Sequence, residues 1–188
     1  MATIVIRPLD NLIQRFGNQL GAVGSAQGRK ALVRAVNRVT NTIYGRVIRA
    51  IRSQSDIPTI IIRREVKKRL ASVSGGGAIE GVIWARGQPL SLKYFRARQV
   101  SWGVKAKWGG EWHEYRGAFM GPRPGIIAKR LGGHVFVRTS ASRFPIEKLF
   151  GPAVPEELVR GESKRAFEET AATMLPERVA HELSRMLP

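Results

Sequence analysis

The sequence predicts an α+β fold: an antiparallel sheet of four or five strands packed with basic amphipathic helices, plus a C-terminal helical arm. Three observations predict it. Between residues 29 and 52, apolar side chains recur every three or four positions, the period of a helix buried along one side. Between residues 77 and 139 the period shortens to two, as in strands with one dry and one wet face. Beyond residue 153 the helical period returns. The division that follows is an N-terminal arm over 1–28, a core domain over 29–152 and a C-terminal helical arm over 153–188.

Residues 3–7 alternate around Ile4 and Ile6 and predict a short strand closed by Pro8. Residues 9–20 predict a short helix, followed by a flexible connection through Gly21, Gly24 and Gly28. Leu32, Val36, Val39, Ile43, Val47 and Ile51 then make one apolar stripe on a helix of about seven turns. Arg34, Arg38, Arg49 and Arg52 fall together on the opposite side, with Arg46 towards its edge. Gly45 sits inside this helix at a cost of about 1 kcal/mol relative to Ala, which predicts close backbone packing there. After Ser53-Gln54-Ser55-Asp56, Pro58 suits the first turn of a second helix over 59–70, with Ile62, Val66 and Leu70 on its apolar side. Residues 72–77 read as a loop.

Residues 77–85 read as a strand. Over 98–108 one face presents Val100, Trp102, Val104, Ala106 and Trp108, and the other Gln99, Ser101, Gly103, Lys105 and Lys107. Gly109-Gly110 is a two-residue hairpin signal, and 111–115 is the returning strand. Gly121-Pro122-Arg123-Pro124-Gly125 excludes regular structure, and 134–139 alternates again. A terminal helix starts near Pro155, with Glu156 and Glu157 at its positive end. Leu158, Phe167, Met174, Leu175, Val179, Leu183 and Met186 supply its apolar positions, and Pro176 is expected to kink or divide it.

Charge is the dominant compositional signal. Lys and Arg number 32 against 14 Asp and Glu, a net charge of +18. Residues 1–150 hold 27 basic and 7 acidic side chains, a charge of +20, whereas residues 151–188 hold 5 and 7, a charge of −2. So basic a body repels itself unless something negative lies nearby, whether nucleic acid, an anionic membrane or an acidic protein. There is no cysteine, which excludes disulfides, thiolate metal sites and cysteine nucleophiles. The N-terminus lacks the apolar stretch of a signal peptide, and no apolar run approaches the ~20 residues that span a bilayer. The expectation is a soluble, cytosolically made protein without a membrane partner.

A search for catalytic chemistry assembles nothing. His113 follows Trp112 and precedes Glu114, but Gly117 stands where a zinc helix needs its second histidine. His134 and His181 lack two further ligands at metal spacing. Ser74-Gly75-Gly76-Gly77 lacks the Gly-Lys-Ser/Thr ending of a phosphate loop. The pairs Glu156/Glu157 and Glu168/Glu169 read as solvated helix faces, and Trp102 and Trp108 as core. No catalytic residue, metal or cofactor is therefore expected. The cluster Arg63, Arg64, Lys67, Lys68 and Arg69, with Arg34 and Arg38, is the candidate contact set. It suits a phosphate backbone, an acidic subunit or plain solvation equally well.

The order of segments resembles the prophage minor tail protein Z family, the tail completion proteins of long-tailed phages. Three stretches carry the resemblance. One is the pair of basic segments at 31–38 and 63–70. The second runs from Pro89 through Phe95, Arg96, Ala97, Arg98 and Gln99 to Gly103-Val104-Lys105-Ala106 and Gly117-Ala118-Phe119. The third is Val135-Phe136-Val137-Arg138 with Phe150, Gly151, Pro152 and on to Pro155. The resemblance spans roughly residues 29–160 and is most specific at 95–99 and 149–155. It implies a non-enzymatic virion subunit at the head-proximal end of the tail. Its implied partners are copies of itself in a homo-oligomeric, hexameric ring, other tail and neck proteins, and packaged DNA touched without sequence preference. A tail terminator or head–tail connector of the same neck region is an alternative, as is a free nucleic-acid-binding protein.

Overall fold

The apolar stripe of the long helix forms the centre of the core in the computed structural model, which describes residues 2–6, 26–73, 78–126 and 128–185. That helix, α1, spans Ala26–Ser55, and Leu32, Val36, Val39, Ile43, Val47 and Ile51 are all buried. Arg34, Arg38, Arg46, Arg49 and Arg52 are exposed, as the periodicity predicts. The expected helix over 9–20, residues 21–25 of the flexible connection after it, the loop residues 74–77 and Met186 lie outside the described residues, and Gly28, expected in that connection, is instead a buried residue of α1.

The C-terminal segment packs on the core. After a short helix α3, Val154–Leu158, the helix α4 spans Gly161–Ser184 and packs along α1 with Leu175, Val179 and Leu183 buried. Arg46 Nη1 donates to Thr170 Oγ1 at 2.9 Å and Arg34 pairs with Glu182 at 2.7 Å across the same seam. α4 continues through Pro176. The division falls instead at Val159-Arg160, where Gln54 of α1 holds the corner. Its amide donates to the Glu157 carboxylate at 2.7 Å, and its oxygen accepts from the Ser163 amide at 3.1 Å. Glu157 is buried and also pairs with Arg160, which supplies the compensation a buried carboxylate needs.

The described strands do not form one sheet of four or five. They form three small antiparallel sheets: β1 (Ala2–Ile6), β3 (Gly81–Ala85) and β2 (Val66–Arg69) in the order β1-β3-β2; β4 (Arg98–Val100), β5 (Gly103–Trp108) and β6 (Glu111–Arg116); and β7 (Phe136–Arg138) with β8 (Ile146–Lys148). The stretches 86–97, 117–126 and 128–135 carry no named strand and separate the three sheets along the chain, while β1 reaches β3 across a long stretch of sequence. β3 is the central strand of its sheet and nearly continuously buried. It lies on α1 where Gly81 sits against Thr40, too close for any side chain.

Two expected elements are redrawn. The second helix, α2, spans only Thr59–Glu65, and the chain extends at Val66 to pair with Ala85 on β3. Lys67, Lys68 and Arg69 therefore stand on an edge strand, and Leu70 is exposed rather than on an apolar stripe. The expected strand over 98–108 is a tight hairpin with Ser101-Trp102 at its turn. Two turn residues reverse the alternation. Val100 now pairs with Gly103 on the outer face, Trp102 is 41% exposed, and Gln99 pairs with Val104 on the inner one. The next turn follows the sequence signal: Gly109 and Gly110 have φ of 64° and 83°, as a type I′ turn requires.

Candidate interaction surface

The two segments most specific to the resemblance meet in space. Gly151 N donates to Leu90 O at 2.7 Å and Leu90 N to Pro152 O at 3.2 Å. Phe95 is 1% exposed beneath them, and a Cβ on Gly151 would stand 2.9 Å from its ring. Pro152 is buried, Pro155 opens α3, and Phe150 is exposed with Lys148 Nζ 5.3 Å over its ring. Arg96 adopts a left-handed φ of 53°, Ala97 is half-buried, and Arg98 lies 6.0 Å over Trp112. Gln99 Oε1 accepts from the amides of Met120 and Gly121 at 2.7 and 2.9 Å, clamping the next loop. These residues form the joint between sheets and helices, and their signature is architectural.

The basic set is less uniform than its sequence. Arg34 pairs with Glu182, Arg64 with Glu65 at 3.6 Å and Arg69 with Glu80 at 3.2 Å. Lys68 donates to Asn41 and lies 4.6 Å over the Tyr44 ring. Arg38, Arg63 and Lys67 are exposed and meet no carboxylate among the described residues. Arg49 and Arg52 are in the same position, and they converge with Arg63 on a groove between α1 and α2. The groove has a volume of about 530 Å³, with Tyr44, Gly45, Ile48 and Thr59 completing it. Gly45 does not mark close packing within the chain: a Cβ there would meet nothing within 4 Å. The helical period had placed Arg49 and Arg52 beside Arg34 and Arg38, but their meeting with Arg63 depends on how α2 folds back.

Glu65, at the end of α2, is the odd acid in this region. Its carboxyl lies against Gly87, one oxygen has no hydrogen-bond partner, and burial holds its pKa above the ordinary value against the opposing pull of Arg64.

One Ser–His contact invites a catalytic reading. Ser91 Oγ lies 2.6 Å from His134 Nδ1, and Lys93 Nζ lies 3.2 Å from His134 Nε2. An ammonium only donates, so Nε2 accepts and Nδ1 carries the proton, donating to Ser91. Burial first, then Lys148 and Lys93, holds the His134 pKa below its ordinary value. The serine thus receives a hydrogen bond where a nucleophile must give one to its base. The contact instead pins β7 to the joint. His113 has a structural place too, stacked on Trp108 with ring centroids 3.7 Å apart.

Among the described residues no three His, Cys, Asp or Glu side chains cluster as metal ligands, and no helix is long and apolar enough to cross a membrane. Comparison with family models, with curated proteins and with solved structures finds no match to this chain.

Proposed function

We propose that the chain is a structural phage-tail subunit that completes the tail tube at its head-proximal end, forming a ring around the DNA channel and helping to join tail to head. The observation that carries this reading is the resemblance at residues 95–99 and 149–155. The arrangement of charge supports it. The strip of Arg49, Arg52 and Arg63 on α1 and α2, which meets no carboxylate among the described residues, needs a negative neighbour, and in a neck both DNA and acidic subunits are at hand. Contact with DNA in this setting is loose and sequence-independent, because the genome slides past. A ring of like subunits completes head-to-tail surfaces without leaving an open end.

The test combines electron microscopy of the purified chain with DNA titration over a range of salt. Rings or tube-triggered assembly, with weak duplex affinity, are the expected result. A single copy that binds DNA tightly with a steep salt slope would instead support the free nucleic-acid-binding reading, which the charge of +18 favours. In particles, reversing Arg63, Arg64, Lys67, Lys68 and Arg69 together should impair assembly or DNA ejection. Normal particles from that variant count against the reading.

A further inference from the structure

The geometry points to the groove over Gly45 as the seat for the α3–α4 corner of a second copy of this chain. The inference deepens the assembly reading and rests on it in taking the chain to work among its own copies.

The groove is open where a side chain would normally stand, since a Cβ on Gly45 meets nothing within 4 Å. Its walls are Tyr44, Ile48 and Thr59, and its rim is Arg49, Arg52 and Arg63. Arg49 Nε donates to Gly45 O at 3.2 Å, and Arg52 Nη1 donates to the carbonyls of Asp56 and Ile57 at 3.0 Å each. These bonds fix the rim while occupying one nitrogen of each guanidinium, and each fork has donors on its other nitrogens for a carboxylate. Ile60, three positions before Arg63, is 80% exposed. A phosphate backbone would leave that aliphatic group bare, whereas a protein segment covers it. The occupant is therefore an aliphatic side chain with a carboxylate beside it.

The chain itself carries that combination. Residues 151–188 are its one acidic stretch, at −2 against +20 for the rest. At the corner Val159 is 47% exposed, and Glu156, three positions earlier, is exposed and has no ion pair among the described residues. Arg160 beside them pairs with the buried Glu157 and also feels the charge of Glu156. Corner and groove also lie on different sides of α1. Gln54, which grips the corner, is nine positions on from Gly45, about 180° round the helix at 100° per residue. A chain cannot fill its own groove in that arrangement, but copies can do so head to tail, in a series that closes into a ring.

Sedimentation velocity on the full chain and three variants tests this. Gly45→Leu, which changes no charge, and Glu156→Arg should each weaken self-association at least about tenfold. The thermal midpoint of Gly45→Leu should stay level or rise. Arg63→Glu should weaken association similarly, and combining it with Glu156→Arg in one chain should recover part of the loss. If Gly45→Leu and Glu156→Arg associate like the native chain, the inference fails and the assembly reading stands. It also fails if Arg63→Glu leaves association intact and weakens binding to a short DNA duplex instead. A native chain that stays a single copy at every concentration, both alone and with tail tubes, overturns both.

Discussion

At Gly151 the space of a missing side chain is taken by Phe95 from within the chain, while at Gly45 the same space faces solvent. The first glycine belongs to a joint that packs sheets against helices. The second lies mid-helix, where glycine weakens the folded chain and no described residue fills the space. The contrast teaches where to look for partners. A residue whose cost is explained by its own fold reports on architecture; one whose cost is unexplained there reports on something outside it.

The largest expected effect tests the joint. Phe95→Ala should cost about 3–5 kcal/mol in urea unfolding, because a fully buried ring is lost beneath the two crossing segments. A loss below about 1 kcal/mol would mean that the joint collapses readily and is less architectural than its geometry suggests. Gly151→Ala should cost about 1–3 kcal/mol, as the new methyl pushes on the Phe95 ring. Gly45→Ala should do the reverse and stabilise by up to about 1 kcal/mol. If both glycine variants moved stability in the same direction, the comparison would be broken.

The smallest effect concerns pH. Burial and two lysines keep folded His134 less ready to take a proton than in the unfolded chain. As pH falls below about 6.5, the unfolded chain protonates first. Stability contributed at this site is complete above that value and declines below it. Thermal melts across that range should show the decline in the native chain and a shallower one in His134→Gln. Equal slopes would remove His134 from the joint's energetics.

Much of the helical architecture could be read directly, because the apolar stripe of α1 keeps its period from Leu32 to Ile51 and every position of it is buried. The start of α3 near Pro155 was equally plain from proline and two glutamates. What failed was non-local. Val66 continues the helical stripe of Ile62 on paper, yet it extends because β3, fifteen or more residues later, offers an edge. Trp102 keeps the alternation of a strand while sitting at a turn, since a two-residue turn changes which face each position meets without changing the local pattern. The site was legible to the same degree. Arg63 and the stripe of α1 arginines stood out, but their convergence depends on the return of α2 across Gly45. The Ser91–His134 contact joins residues 43 apart, beyond any spacing rule.

Pro176 carries a consequence for how the outer helix opens. Lacking an amide hydrogen, it leaves the carbonyl of Ala172 without its usual donor, and Ala172 is exposed to water. The ladder of α4 is thereby interrupted between a half anchored through Ser163 and Thr170 and a half anchored through Val179 and Leu183. Amide exchange along this helix should separate into two blocks with their own protection, so the outer half can loosen while the corner at Gln54 stays shut.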